Sequence, residues 1–139
     1  MFRVYWRKAK RRRKTTVSKH YLAHKEQARE LVHAKVAFWN QQYAYSFGRI
    51  AIRNQRRCWG SCSSNRNLNF NYKILFLPER LVDYIIVHEL CHLEQFNHSP
   101  QFWELVEKTL PHYKELRKEL KDAVVPTRSV YKSPVTVYT

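Results

Sequence analysis

Six residues in one short stretch carry the chemistry of this chain: His88-Glu89-Leu90-Cys91-His92 and, after five intervening residues, His98. On an α-helix, positions four apart differ by about 40° around the axis and sit one turn apart on the same face. His88 and His92 can therefore converge on one ion. Glu89 follows the first of them and can reach a water on that ion without binding the ion itself. Three imidazoles (His88, His92, His98), one open position and a carboxylate acting as general acid/base describe a hydrolytic zinc site with a single Zn2+.

An HExxH match of five residues also occurs in ordinary helices, where both histidines would be core residues. The setting favours the metal reading. Val82-Asp83-Tyr84-Ile85-Ile86-Val87 and then Leu90, Cys91 and Leu93 are apolar on nearly every side, as in a buried helix. Two histidines and a glutamate inside such a helix are costly unless something satisfies them. The stretch Asn97-His98-Ser99-Pro100 supplies the third donor. Asn97 tolerates the left-handed conformation that ends a helix, Ser99 caps the next one and Pro100 takes its first position, so His98 sits in the elbow between them.

The elements that must hold this stretch in place follow from periodicity. Residues 18–45 read as a helix, with Ala28, Leu31, Val32, Phe38 and Trp39 at helical spacing. His20, His24 and His33 lie in a polar stretch of it without a neighbouring carboxylate of the HExxH kind and read as surface histidines. Residues 49–54 suggest a strand, and 56–65 a loop in which Gly60 is free to take unusual angles. Residues 67–73 alternate strictly, with Leu68, Phe70 and Tyr72 on one side and Asn69, Asn71 and Lys73 on the other. Pro78 opens the motif helix. A helix over about 100–110 follows, with Phe102, Trp103, Val106 and Leu110 as its apolar side, and a last one near 112–122. A short strand at 2–6 is weakly placed. The fold class is α+β, a small antiparallel sheet packed on the HExxH helix with additional helices around it.

The chain has 139 residues, one domain by length. We divide it into a basic N-terminal arm (1–17), the domain (18–124) and a C-terminal tail (125–139). No apolar run is long enough to span a membrane, and the basic start lacks the apolar stretch of a secretory signal. The three cysteines, an odd number, are read as reduced thiols of a cytoplasmic protein. Cys91 is a buried thiol, and Cys58 and Cys62 lack the second pair that would complete a zinc knuckle. The net charge is +15. Much of it comes from Arg7-Lys8-Ala9-Lys10-Arg11-Arg12-Arg13-Lys14, a solvated arm that attracts polyanions and offers non-specific contact with nucleic acid. Sequence-specific readout has no signature here. The oligomeric state is not legible.

Several spaced words extend the motif: Trp59-Gly60-Ser61-Cys62, Leu68-Asn69-Phe70-Asn71, Leu77-Pro78, Tyr84-Ile85-Ile86-Val87-His88-Glu89-Leu90-Cys91-His92, Asn97-His98-Ser99-Pro100-Gln101-Phe102-Trp103 and Pro111-His112-Tyr113-Lys114. In these words, residues 57–122 resemble the YgjP-like metallopeptidase family, related to the SprT-type and WLM-type zinc peptidases. The gap before His98 is also similar to the metzincin spacing, with Gln95 where that pattern has glycine. The resemblance implies a minimal zincin-like fold, His88, His92 and His98 as zinc ligands, Glu89 as general acid/base, and a peptide or protein substrate.

The expected activity is zinc-dependent amide-bond hydrolysis, with the strand at 67–73 offering an edge to an extended peptide. Trp59-Gly60-Ser61-Cys62 shapes the cleft or braces the sheet; bracing is favoured. His112 and the tyrosines are unranked candidates for stabilising the oxyanion. Two other readings use the same residues: a nucleic-acid-associated basic protein with a structural zinc, closed by a fourth protein ligand, and a zinc hydrolase of a non-peptide substrate.

Overall fold

The computed structural model describes residues 17–123. The arm up to residue 16, the expected strand at 2–6 and the tail from 124 lie outside the described residues. Four helices, α1 (Lys19–Tyr43), α2 (Glu79–Cys91), α3 (Pro100–Thr109) and α4 (Tyr113–Asp122), surround three short strands, β1 (Ile50–Arg53), β2 (Gly60–Cys62) and β3 (Leu68–Asn71). A single 3-10 turn, Tyr72–Phe76, joins β3 to α2. The class is α+β, as the periodicity implied.

The sheet corrects one expectation. Its order is β1-β3-β2, with β2 antiparallel and β1 parallel to β3, so it is mixed rather than antiparallel. The chain passes from β1 to β2 first and then inserts β3 between them. The 63–67 turn that reverses it is closed by the Ser63 amide donating to the Asn67 carbonyl (2.9 Å), the Arg66 amide to the Ser63 carbonyl (2.9 Å) and the Asn67 amide to Ser63 Oγ (3.1 Å). Arg66 takes the left-handed conformation there (φ 64°). Because β3 is central, both of its edges are occupied and it cannot receive a peptide by strand addition. β2, which the sequence pattern places inside a loop, is the strand next to the HExxH helix with an unpaired edge among the described residues.

The alternation across 67–73 stops at Asn71, which is fully buried instead of facing outward. Its side-chain amide donates to the carbonyls of Gln55 (2.8 Å) and Cys58 (3.1 Å), and its Oδ1 accepts the Lys73 amide (3.1 Å). A short polar side chain can serve as local scaffolding where hydrophobic alternation would put it in solvent. Beyond it the chain coils into the 3-10 turn.

α1 begins at Ser18, whose hydroxyl accepts the Tyr21 amide, and ends at Ala44 in the left-handed conformation. Ala28, Val32 and Val36 form its buried stripe, one residue per turn, while Phe38 is 58 % exposed and does not join the core. α1 grips α2 through polar contacts: Trp39 Nε1 donates to Asp83 Oδ1 (3.0 Å), and Lys35 Nζ pairs with Asp83 (2.8 Å) and Glu79 (2.6 Å). His20 and His24 are half-buried rather than surface residues. They pack on Phe76, and His20 Nδ1 lies 2.8 Å from the Tyr72 hydroxyl.

α2 is buried on nearly every side from Tyr84 to Cys91, the setting its composition demanded. It ends at Cys91 with His92 as its C-cap in right-handed geometry, not near Asn97, which is not left-handed. Arg66 explains the early stop. Its guanidinium donates to the Leu93 carbonyl (2.9 Å) and to the Ser46 carbonyl (2.7 and 3.0 Å), so the β2–β3 turn takes up an orphan acceptor just past the last turn of α2.

Candidate metal centre

The Nε2 atoms of His88, His92 and His98 form a triangle with sides of 3.2, 3.0 and 3.2 Å. Each residue arrives from a different local structure. His88 lies inside α2, His92 caps it, and His98 lies in the elbow before α3, where Ser99 Oγ accepts the Phe102 amide and Pro100 opens the helix as expected. His88 and His92 are buried (2 % and 8 % exposed) and His98 is half-buried.

The rings are held from behind. His92 Nδ1 is 3.0 Å from the Gln95 carbonyl, so that nitrogen carries the proton and donates it, leaving Nε2 with a bare lone pair. His88 Nδ1 lies 3.4 Å from the hydroxyl of Tyr84, one turn earlier on α2. Phe102 stacks on His92 (4.4 Å between centroids), and Trp103 stacks on His98 (5.8 Å). The apolar side of α3 therefore forms one wall of the cluster.

Hydrogen bonding cannot satisfy this triangle, because one ring proton serves only one of the neighbouring nitrogens and the other lone pairs still face each other. A cation can. Donors at about 2.0–2.1 Å from a tetrahedral ion such as zinc lie roughly 3.3 Å apart, close to the spacing present. Among the described residues no cysteine, aspartate or glutamate adds a fourth donor to the group. The donor set fits a divalent metal with a position left open.

Electrostatics agree with the geometry. Burial, reinforced by the neighbouring imidazoles, pushes His88 well below the ordinary imidazole range. Burial likewise lowers His92, and it lowers His98 to about 4. All three are neutral, and so able to donate to a metal, at neutral pH.

Glu89 is 3 % exposed, and burial raises its carboxyl to about 8. Its Oε2 is buried with no hydrogen-bond partner. β2 packs against it: a Cβ built on Gly60 would lie 3.0 Å from Glu89 Cγ and 3.1 Å from Oε1. Trp59 is fully buried, and Gly60 makes room for Glu89. Cys62 and Cys58 lie close enough to Glu89 for its charge to add to the raising of their thiols, Cys62 to about 12, although burial is the larger cause. Both are free thiols, as is fully buried Cys91.

Sequence reasoning placed Gly60 in a segment that shapes the cleft or braces the sheet, without its contact with Glu89, and did not single out Arg66, Tyr84 or Trp103 as residues that shape the site. Gly60 carried a signal, since the chain has only two glycines. Tyr84 and Trp103 stand in the words around the motif, but their contacts, like those of Arg66, depend on the packed site. His112 is exposed at the start of α4, and Tyr113 stacks on Trp103 (5.1 Å).

Two solved structures are similar to this chain. One solved structure, the metallopeptidase zymogen of Pyrococcus abyssi abylysin, is 27 % identical with a TM-score of 0.60, over 66 % of this chain and 92 % of that one. Another, the zymogen of Methanocaldococcus jannaschii jannalysin, is 22 % identical with a TM-score of 0.49, over 66 % and 91 %. No curated protein matches. No helix among the described residues is long and apolar enough to cross a membrane. Residues 5–123 match the family described as YgjP-like, metallopeptidase domain, and the chain belongs to that family.

Proposed function

We propose that the protein is a peptidase using one zinc ion held by His88, His92 and His98, with Glu89 as its general acid/base. The observation that carries this reading is the convergence of three imidazole Nε2 atoms at the end of the helix that also carries a buried carboxylate whose Oε2 has no partner. Zinc bound there supplies Lewis acidity, lowering the pKa of water to about 7 and polarising a carbonyl. Glu89 takes the proton of the attacking water and passes it to the leaving amine. Burial raises its affinity for a proton, which favours the step that takes it.

β2 supports the peptide reading. Gly60, Ser61 and Cys62 pair with Phe70, Asn69 and Leu68, and the flanking Asn71 amide bonds to the Trp59 carbonyl. Antiparallel bonding alternates, so the amides and carbonyls of Gly60 and Cys62 point to the open edge. An extended peptide added there runs next to Glu89 and leaves its amide bonds within reach of the cluster. A structural zinc site needs a fourth protein donor, and none joins the group among the described residues.

Glu89→Gln tests the assignment. It keeps the three imidazoles, so zinc stoichiometry should stay near that of the parent while turnover falls by about 10²–10⁴. A Glu89→Gln protein with undiminished hydrolysis would end this mechanism.

A further inference from the structure

Arg117 lies on α4 one turn after Tyr113 and reaches the same aromatic wall. Its guanidinium carbon is 4.9 Å from the centroid of Trp103, the ring that stacks on His98 and meets His88 edge-on at 5.9 Å. One ring thus touches both a permanent positive charge and the histidine cluster. The charge is felt at His88, His98 and Tyr84.

The guanidinium is not otherwise used. Its Nε is buried without a hydrogen-bond partner. No carboxylate pairs with it among the described residues. Contact with Trp103 leaves the N–H donors of the guanidinium free to bond elsewhere, and the one on Nε has no partner. A half-buried cation with an unmet Nε–H is costly unless a ligand or solvent completes it.

We propose that Arg117 is a specificity residue that binds a carboxylate of the substrate. The inference rests on the peptidase reading of the site. Its substrates carry an acidic side chain or a C-terminal α-carboxylate close to the scissile bond. A guanidinium fork matches a carboxylate through two parallel hydrogen bonds, and a neutral amide leaves the charge uncompensated. The overall charge of +15, with 26 Lys and Arg against 11 Asp and Glu, steers anionic peptides toward the protein in the same sense.

The test uses zinc-loaded full-length Glu89→Gln protein, in which binding is read by calorimetry without turnover. The probes are unstructured peptides identical except for Glu or Gln at successive positions and for a free or amidated C-terminus. Carboxylate-bearing peptides should bind about tenfold tighter than their neutral counterparts, the size of one charge-assisted hydrogen bond. Whether the Glu or the free-acid arm carries the preference identifies the source of the carboxylate. Adding Arg117→Met should abolish the preference. Adding Arg117→Lys, which keeps the charge without the fork, should reduce it and decides the matter if the Met variant does not fold. No preference in the parent, or an unchanged preference in either folded variant, would overturn the proposal. Because binding is read in an inactive protein, failure of the wild type to cleave any peptide counts against the peptidase reading and leaves this result standing.

Discussion

Replacing Gly60 by alanine isolates the contact between sheet and base. A Cβ at Gly60 would lie 3.0 Å from Glu89 Cγ, 3.1 Å from its Oε1 and 3.2 Å from the Asn69 carbonyl oxygen. No glycine in the described residues has positive φ, so alanine meets no backbone strain here and the contact is the whole perturbation. The Asn69 carbonyl belongs to the central strand and is fixed by pairing on both sides, so the Glu89 side chain must move. The displacement needed is about 0.4 Å, the gap between 3.0 Å and the 3.4 Å at which ordinary contact begins. A misplacement of about 1 Å costs on the order of 10²-fold in rate, so 0.4 Å corresponds to roughly five- to tenfold in kcat/KM, or about 1–1.4 kcal/mol of transition-state stabilisation. Valine, with two more carbons in the same place, should lose considerably more. The assay is kcat/KM on a quenched fluorescent peptide, with zinc content measured on the same samples. Zinc should stay bound, because no imidazole is among the atoms a Cβ would meet. Full activity in Gly60→Ala would refute the placement of Glu89 against β2. Loss of activity in proportion to loss of zinc would refute the claim that the glycine serves the base rather than the metal.

Three other outcomes follow from the same geometry. His98→Ala leaves His88 and His92 on their helix but removes a donor outright, so zinc affinity should fall by more than the ~10–100-fold that loss of an outer hydrogen-bond partner costs; competition with a chromogenic chelator measures it, and parental affinity would remove His98 from the site. Ile86, fully buried on α2, should cost about 2–5 kcal/mol when cut to alanine. At about 4–8 °C per kcal/mol this lowers the Tm by at least several degrees, and an unchanged Tm would contradict the burial. The third concerns pH in metal-free Glu89→Gln protein, a background that removes the opposing influence of the buried carboxyl. Burial holds His88, His92 and His98 below the unfolded imidazole value of about 6.5, His98 at about 4, so protons prefer the unfolded chain. This share of stability is intact above about pH 6.5 and is lost as the pH falls toward 4; a Tm that holds or rises over that interval would mean the histidines are not buried as neutral groups.

Much of the site is legible in the amino-acid order. The four-residue spacing of His88 and His92, the apolar surroundings of α2 and the Ser99-Pro100 start of α3 are local features, and local geometry follows from local sequence. The helices at 18–45, 100–110 and 112–122 lie within a few residues of their expected ends, because helical periodicity repeats often enough to be read. The strands are harder. β2 has three residues, too few to show a period of two, and its composition reads as loop. Parallel pairing of β1 with β3 depends on the path of the chain between β1 and β2, about which alternation within a strand says nothing.

Spacing along one helix is sufficient to propose which side chains meet a metal and which carboxylate moves a proton, since those atoms are brought together within two turns of backbone and one elbow. It cannot say where α2 stops, why Gly60 is a glycine, which strand keeps an open edge, or that Arg117 packs on the same Trp103 ring as His98. Each of these is a contact between segments brought together only by the fold: Arg66 with the Leu93 carbonyl, β2 with Glu89, β3 between its neighbours, α4 with α3. Such contacts are settled when the hydrophobic faces of all the elements are buried together, and no single element carries the information alone.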